Sequence, residues 1–204
     1  MPDIKWIGFI NKNEIEKYQK GELNSNAIKM KRPETMNKMM VKAFPFVIPA
    51  LIIMFLAMYL KGYINNQIVV YKPYMFIGLI IGFFLSIIHE LLHAIVYPKG
   101  VNVYIGIAKP VTFVALASYP LKKERFIVMC LLPYILGIVP LILFLLSPAN
   151  NLVLNSIIYG IAFIGMVSPY PDAYNVYQVI RQVPKGKKVQ FYGDDTYYET
   201  WGRP

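Results

Sequence analysis

Histidine and cysteine are almost missing from this chain of 204 residues, which has two of the first and one of the second. The lone cysteine, Cys130, excludes an intramolecular disulfide, so thiols say nothing about compartment. Acids are scarce as well: 11 stand against 21 lysines and arginines, and between Ala43 and Ile180 the only ones are Glu90, Glu124 and Asp172. These shortages exclude two catalytic designs in the apolar region. A pair of aspartates would need a second aspartate beside Asp172, and a serine–histidine pair would need a histidine outside the one pentad that holds both. Charged residues make up 16% of the chain and hydrophobic ones 56%, with a mean hydropathy of +0.45. Soluble domains carry about a quarter charged residues, so the composition is that of a polytopic membrane protein. The net charge of +10 follows from basic loops facing anionic lipid. The lipid bilayer is the expected surrounding, and no nucleic-acid partner is expected.

Four apolar stretches are long enough to span, since about 20 residues cross the hydrocarbon. They are Ala43–Leu60, Tyr74–Tyr97, Phe126–Leu146 and Leu152–Tyr170, with Pro148-Ala149-Asn150-Asn151 turning between the last two. Met1–Lys42 is polar and basic, so no signal peptide is expected there. Lysines and arginines on alternate sides of these spans number nineteen against two. The positive-inside rule then places both termini and the 98–125 loop in the cytoplasm, for a multi-pass protein of the cell membrane.

The fold expected is an α-helical integral membrane protein of four transmembrane helices. A membrane-interface β-hairpin follows the second, with small cytoplasmic N- and C-terminal elements. The hairpin is residues 101–118, "VNVYIGIAKPVTFVALAS". Its apolar residues recur every second position, and Gly106 and Pro110 speak against a helix. A fifth span is the competing reading, and it would spoil the charge asymmetry. The divisions are a cytoplasmic segment 1–42, a membrane domain 43–183 and a tail 184–204. The N-terminal segment reads as a strand over Ile4–Ile10 and a polar helix around Glu14–Lys20. The tail reads as a second hairpin turning at Gly193-Asp194-Asp195, and both are expected to form a small cap without chemistry.

Both histidines fall in "HELLH", residues 89–93. On a helix, residues four apart lie about 40° apart in rotation and about 6 Å along the axis. His89 and His93 can therefore share one metal while Glu90 reaches a water on it, the chemistry of the H-E-x-x-H zinc motif. Two histidines and a following glutamate meet in this way by chance roughly once in 3,000 random placements, a rate low enough to hold the motif reading. The alternative, a pair of hydrogen-bonded core histidines, leaves Glu90 unexplained. An ionisable trio in a spanning segment is costly in lipid and marks function. Gly78, Gly82 and Ser86 continue the same stripe at a spacing that lets helices approach closely.

Zinc usually takes a third protein ligand and leaves a fourth position to water. Glu124 lies among Lys122, Lys123 and Arg125, where a solvated charge cluster accounts for it. Asp172, in "SPYPDAYN", is favoured by elimination, because Pro169 and Pro171 break the helix there and free a short side chain to reach inward. A helix-capping aspartate is the competing reading. Asn175 reads equally well as a support for the site or as an ordinary helix-end residue.

These features together resemble a bacterial family of zincin peptidases of unknown function, distantly similar to the site-2 protease group of intramembrane metalloproteases. The resemblance rests on H-E-L-x-H in a spanning helix, a hydrophobic hairpin, two further spans, an aspartate after the last, and the ending "VPKGKKVQFYGDDTYYE". It covers most of the chain from about Ala43 and implies zinc at His89 and His93, with Glu90 as base. Asp172 matches the site-2 ligand aspartate, but "SPYPDAY" lacks the Asn-Pro-Asp-Gly or Leu-Asp-Gly context of those enzymes. The expected activity is that of a zinc-dependent, membrane-embedded endopeptidase acting through metal-activated water on a membrane protein or peptide substrate. The alternative is a catalytically silent zinc-binding membrane protein that binds a peptide or partner.

Overall fold

A computed structural model of the chain describes residues 1–11, 14–33, 35–109 and 112–199. Among them, four helical segments are long and apolar enough to cross a membrane: Lys38–Asn65, Lys72–Ile95, Lys123–Leu146 and Leu152–Gln182. Each is interrupted. A 3₁₀ turn at Phe44–Phe46, carrying Pro45, separates α2 (Met36–Ala43) from α3 (Val47–Asn65). The second segment breaks at Leu85 into α4 (Lys72–Phe84) and α5 (Ser86–Ile95). A turn at Leu132–Tyr134, carrying Pro133, divides α6 (Lys123–Leu131) from α7 (Ile135–Leu146). The fourth bends at Ser168-Pro169 between α8 (Leu152–Val167) and α9 (Tyr170–Gln182). Proline removes a backbone donor and so ends the regular ladder. This last segment was expected to stop at Tyr170; it instead resumes after the proline and runs twelve residues further, to Gln182.

The chain forms two compact units, Met40–His89 with Pro133–Ala173, and Met1–Met39 with Glu90–Leu132 and Tyr174–Pro204. In the first, α8 is the central helix. Gly160 meets the Met75 carbonyl and Gly78 of α4, while Gly165 meets Leu136 and Gly137 of α7. A Cβ at any of these glycines would overlap main chain. Lipid gives helices no hydrophobic reason to associate, so close backbone contact must supply the attraction. At the far end of the bundle, Lys61 is buried, with 5% of its surface exposed. Its Nζ donates to Ser147 O at 2.8 Å and Ser147 Oγ at 2.9 Å, and also to Asn155 Oδ1 and Phe144 O. The ammonium thereby joins the end of α3 to the last carbonyls of α7, where a cation complements the helix dipole.

The second unit holds two sheets. The expected hairpin is present as β3 (Asn102–Ala108) and antiparallel β4 (Thr112–Leu116). Its Lys109 turn residue is described, while Pro110 and Val111 lie outside the described residues, as does Trp201 at the end of the tail. The N-terminal strand β1 (Asp3–Ile10) adds parallel to β3, giving the order β1-β3-β4. The tail hairpin, β6 (Lys188–Tyr192) and β7 (Asp195–Glu199), is also as expected. It is not a separate cap. Strands β2 (Ala27–Lys29) and β5 (Leu121–Lys122) flank it in the order β2-β7-β6-β5. The polar N-terminal helix shrinks to one turn, α1 (Ile15–Tyr18).

Replacing Gly160 with valine should force α4 and α8 apart. Overpacking costs about 1–3 kcal/mol where side chains can yield, and main chain yields less. Thermal unfolding in detergent should show a midpoint several degrees lower; an unchanged midpoint would contradict backbone contact at this position.

A candidate zinc centre

The helix α5 is an unbroken run of isoleucine, leucine and alanine around its polar residues, with no glycine or proline to interrupt it. His89, Glu90 and His93 lie on it with their ligand-type atoms all within 4.8 Å of one another. His89 is buried, and Glu90 and His93 are half-buried. The second imidazole is oriented from outside the pentad. His93 Nδ1 lies 2.8 Å from the carbonyl oxygen of Met129 on α6. A carbonyl only accepts, so Nδ1 carries the proton and Nε2 keeps its lone pair for a metal. This is the usual way an outer partner sets the tautomer of a ligating histidine.

Asp172 lies in the first turn of α9, and its Oδ2 is 3.3 Å from His89 Nε2. Two donors on one tetrahedral zinc, at bond lengths near 2.0–2.2 Å, are about 3.4 Å apart. Two imidazoles and a carboxylate are also a donor set that zinc accepts. His89, Glu90 and His93 form the mutually close group that fits an ion, and Asp172 stands beside His89 at the spacing of a second donor. The aspartate is held by the bend before it. The Pro169 carbonyl accepts from Asp172 N at 3.0 Å, from Ala173 N at 3.1 Å and from the Tyr134 hydroxyl at 3.3 Å.

The other expectations resolve plainly. Asn175 Oδ1 accepts from Arg32 Nη2 at 2.8 Å, and the same guanidinium donates to Thr196 Oγ1. Asn175 thus ties α9 to the N-terminal segment and to β7. Glu124 is exposed in the first turn of α6, where a negative charge suits the helix dipole. Cys130 is buried in an apolar cluster. Sequence reasoning missed the Met129 and Pro169 carbonyls because main-chain groups have no residue signature. Tyr134 was missed because nothing in its spacing relates it to Asp172.

The model of a protein family described as "Putative zincin peptidase" matches residues 82–188, just over half of the chain, a stretch that contains the pentad, the β3–β4 hairpin and Asp172. The chain belongs to that family. Membership points to a zinc metalloprotease and implies zinc as the cofactor. No curated protein and no solved structure matches the chain.

Purified protein should carry about one zinc per chain. His89→Ala, His93→Ala and Asp172→Ala should each bind it at least tenfold more weakly, judged by competition with a chromogenic chelator. Wild-type affinity in Asp172→Ala would remove the aspartate from the ligand set.

Proposed function

We propose that the protein is a membrane-embedded zinc endopeptidase of the H-E-x-x-H type, with His89, His93 and Asp172 as ligands and Glu90 as the general base. The observation that carries this reading is the 3.3 Å approach of Asp172 Oδ2 to His89 Nε2. It adds a third donor, distant in sequence, to a motif that already supplies two ligands and a base. Bound zinc would acidify a water toward a pKa of about 7 and polarise a carbonyl oxygen. Glu90 then takes the proton from the attacking water and delivers it to the departing amine. The Met129 carbonyl keeps His93 in the tautomer whose Nε2 carries the lone pair, and the turn at Pro169 precedes Asp172 where it faces His89.

The substrate in this reading is a segment of a membrane protein or a membrane-associated peptide. A helix hides its carbonyls in its own hydrogen bonds, so the scissile segment has to be extended, and helix-breaking residues should mark it. Among the described residues the edge of β4 has no further strand in its sheet, and an extended segment could add there through main-chain hydrogen bonds. Charge asymmetry supports a four-span topology with both termini in the cytoplasm.

In proteoliposomes, a membrane peptide with a helix-breaking centre should be cleaved by the wild type. Glu90→Gln should retain zinc and lose about 10²–10⁴-fold in rate, the range of general acid–base catalysis. Undiminished cleavage by Glu90→Gln would refute its role. Reporter fusions at residues 61–73 and at the C-terminus should report opposite sides of the membrane, and the same side for both would overturn the topology.

A further inference from the structure

The sheet β1-β3-β4 has one face packed on helices. Val103 and Ile105 of β3 join Ala94 and Met129 in a single buried cluster. Ala94 belongs to the second span-length segment and Met129 to the third. The sheet therefore packs against the end of α5 and against α6. Strand β1 continues this face outward, for Ile4 stands opposite Val103, Trp6 opposite Ile105 and Phe9 opposite Ile107.

Simple alternation would not keep those three side chains together, since Phe9 is three residues beyond Trp6 and an odd step turns a side chain to the other face. A bulge between Trp6 and Gly8, with Gly8 at φ +70°, inserts one residue and restores Phe9 to the side of Trp6. The opposite face is occupied differently. Lys5 stands over the Tyr104 ring at 5.9 Å, and Ile10 packs with Ala108 and Leu116. Ile4, Trp6 and Phe9 thus share one side of the sheet, and they are 39%, 58% and 72% exposed. Exposure rises along the strand.

We propose that this side of β1 docks into the lipid leaflet adjoining the sheets, with Trp6 and Phe9 at the boundary of headgroups and acyl chains. The proposal rests on the four long helices spanning the bilayer. Lipid is favoured over another occupant by the packing of the sheet on α5 and α6, which belong to span-length segments, and by the preference of tryptophan for that boundary. The charge pattern agrees. Lys109, at the Phe9 end of the sheet, is exposed, and its backbone N–H bonds to Ile10 O at 3.1 Å. An ammonium there suits lipid phosphates while its stem follows the apolar face.

Trp6 is one of two tryptophans, so full-length protein with Trp201→Phe reports on it alone. In bilayers whose lipids carry bromine near the top of the acyl chains, its emission should fall about twofold, with little effect from aqueous iodide, as an aromatic belt residue would behave. Two controls in a Trp6→Phe, Trp201→Phe background complete the test. Phe55→Trp, in the middle of α3, should be quenched by the brominated lipid. Lys5→Trp, on the other face of β1, should be quenched by iodide. If Phe55→Trp escapes lipid quenching, the spanning reading fails and the proposal falls with it. If Phe55→Trp is quenched while Trp6 responds to iodide, the face meets water and the proposal alone falls. Trp6 silent to both quenchers would mean that protein, a substrate or a second copy, covers it, and would equally overturn the proposal.

Discussion

The approach of α8 to its two neighbours at main-chain distance is the constraint on which the candidate centre depends. Gly78 and Gly160 bring α4 and α8 together, and Gly137 and Gly165 do the same for α7 and α8. In lipid, packing of this kind replaces the hydrophobic drive that would gather helices in water. Its effect reaches the site because α4 runs into α5 after a single residue and α8 runs into α9 after two. Fixing the distance between α4 and α8 therefore fixes how near His89 comes to Asp172.

Each of those junctions interrupts the regular helix, and the donor side chains lie just beyond them. His89 is four residues past Leu85, and its amide donates to the Leu85 carbonyl at 3.0 Å. Asp172 is three residues past Pro169, whose carbonyl gathers three donors. Buried polar groups of this kind cost stability unless they are satisfied. Here the His93 imidazole donates to the Met129 carbonyl and the Asp172 carboxylate faces His89 Nε2, so the polar side chains of the site partner main chain and one another.

Much of this was legible in the residues. The four span-length helices followed from runs of apolar residues, the β3–β4 hairpin from alternation around Gly106 and the Lys109 turn, and the pentad from two histidines spaced for one helical face. Asp172 was reached by elimination, because acids are so rare between Ala43 and Ile180, and the structure places its Oδ2 3.3 Å from His89 Nε2. The joining of the N-terminal segment to both sheets was not legible. Ala27–Lys29 and Leu121–Lys122 are too short to show any period, and parallel pairing of β1 with β3 links residues about a hundred positions apart. The extension of the fourth segment past Pro169 was hidden by the prolines, which mark where a helix is interrupted without saying whether it resumes. The face of β1 was hidden for a related reason: the bulge at Gly8 changes the period in the middle of a strand.

The central claim is that Glu90 performs hydrolysis at a zinc held by this chain, and the most direct measurement is made in the cell. The membrane proteomes of three strains would be compared, one with the intact gene, one with it deleted and one expressing Glu90→Gln at the same level. The account predicts that at least one membrane polypeptide is shortened in the first strain and full-length in the other two. A Glu90→Gln strain with the same shortened products as the intact one would contradict it, and would leave a zinc-binding membrane protein whose role is to hold a partner.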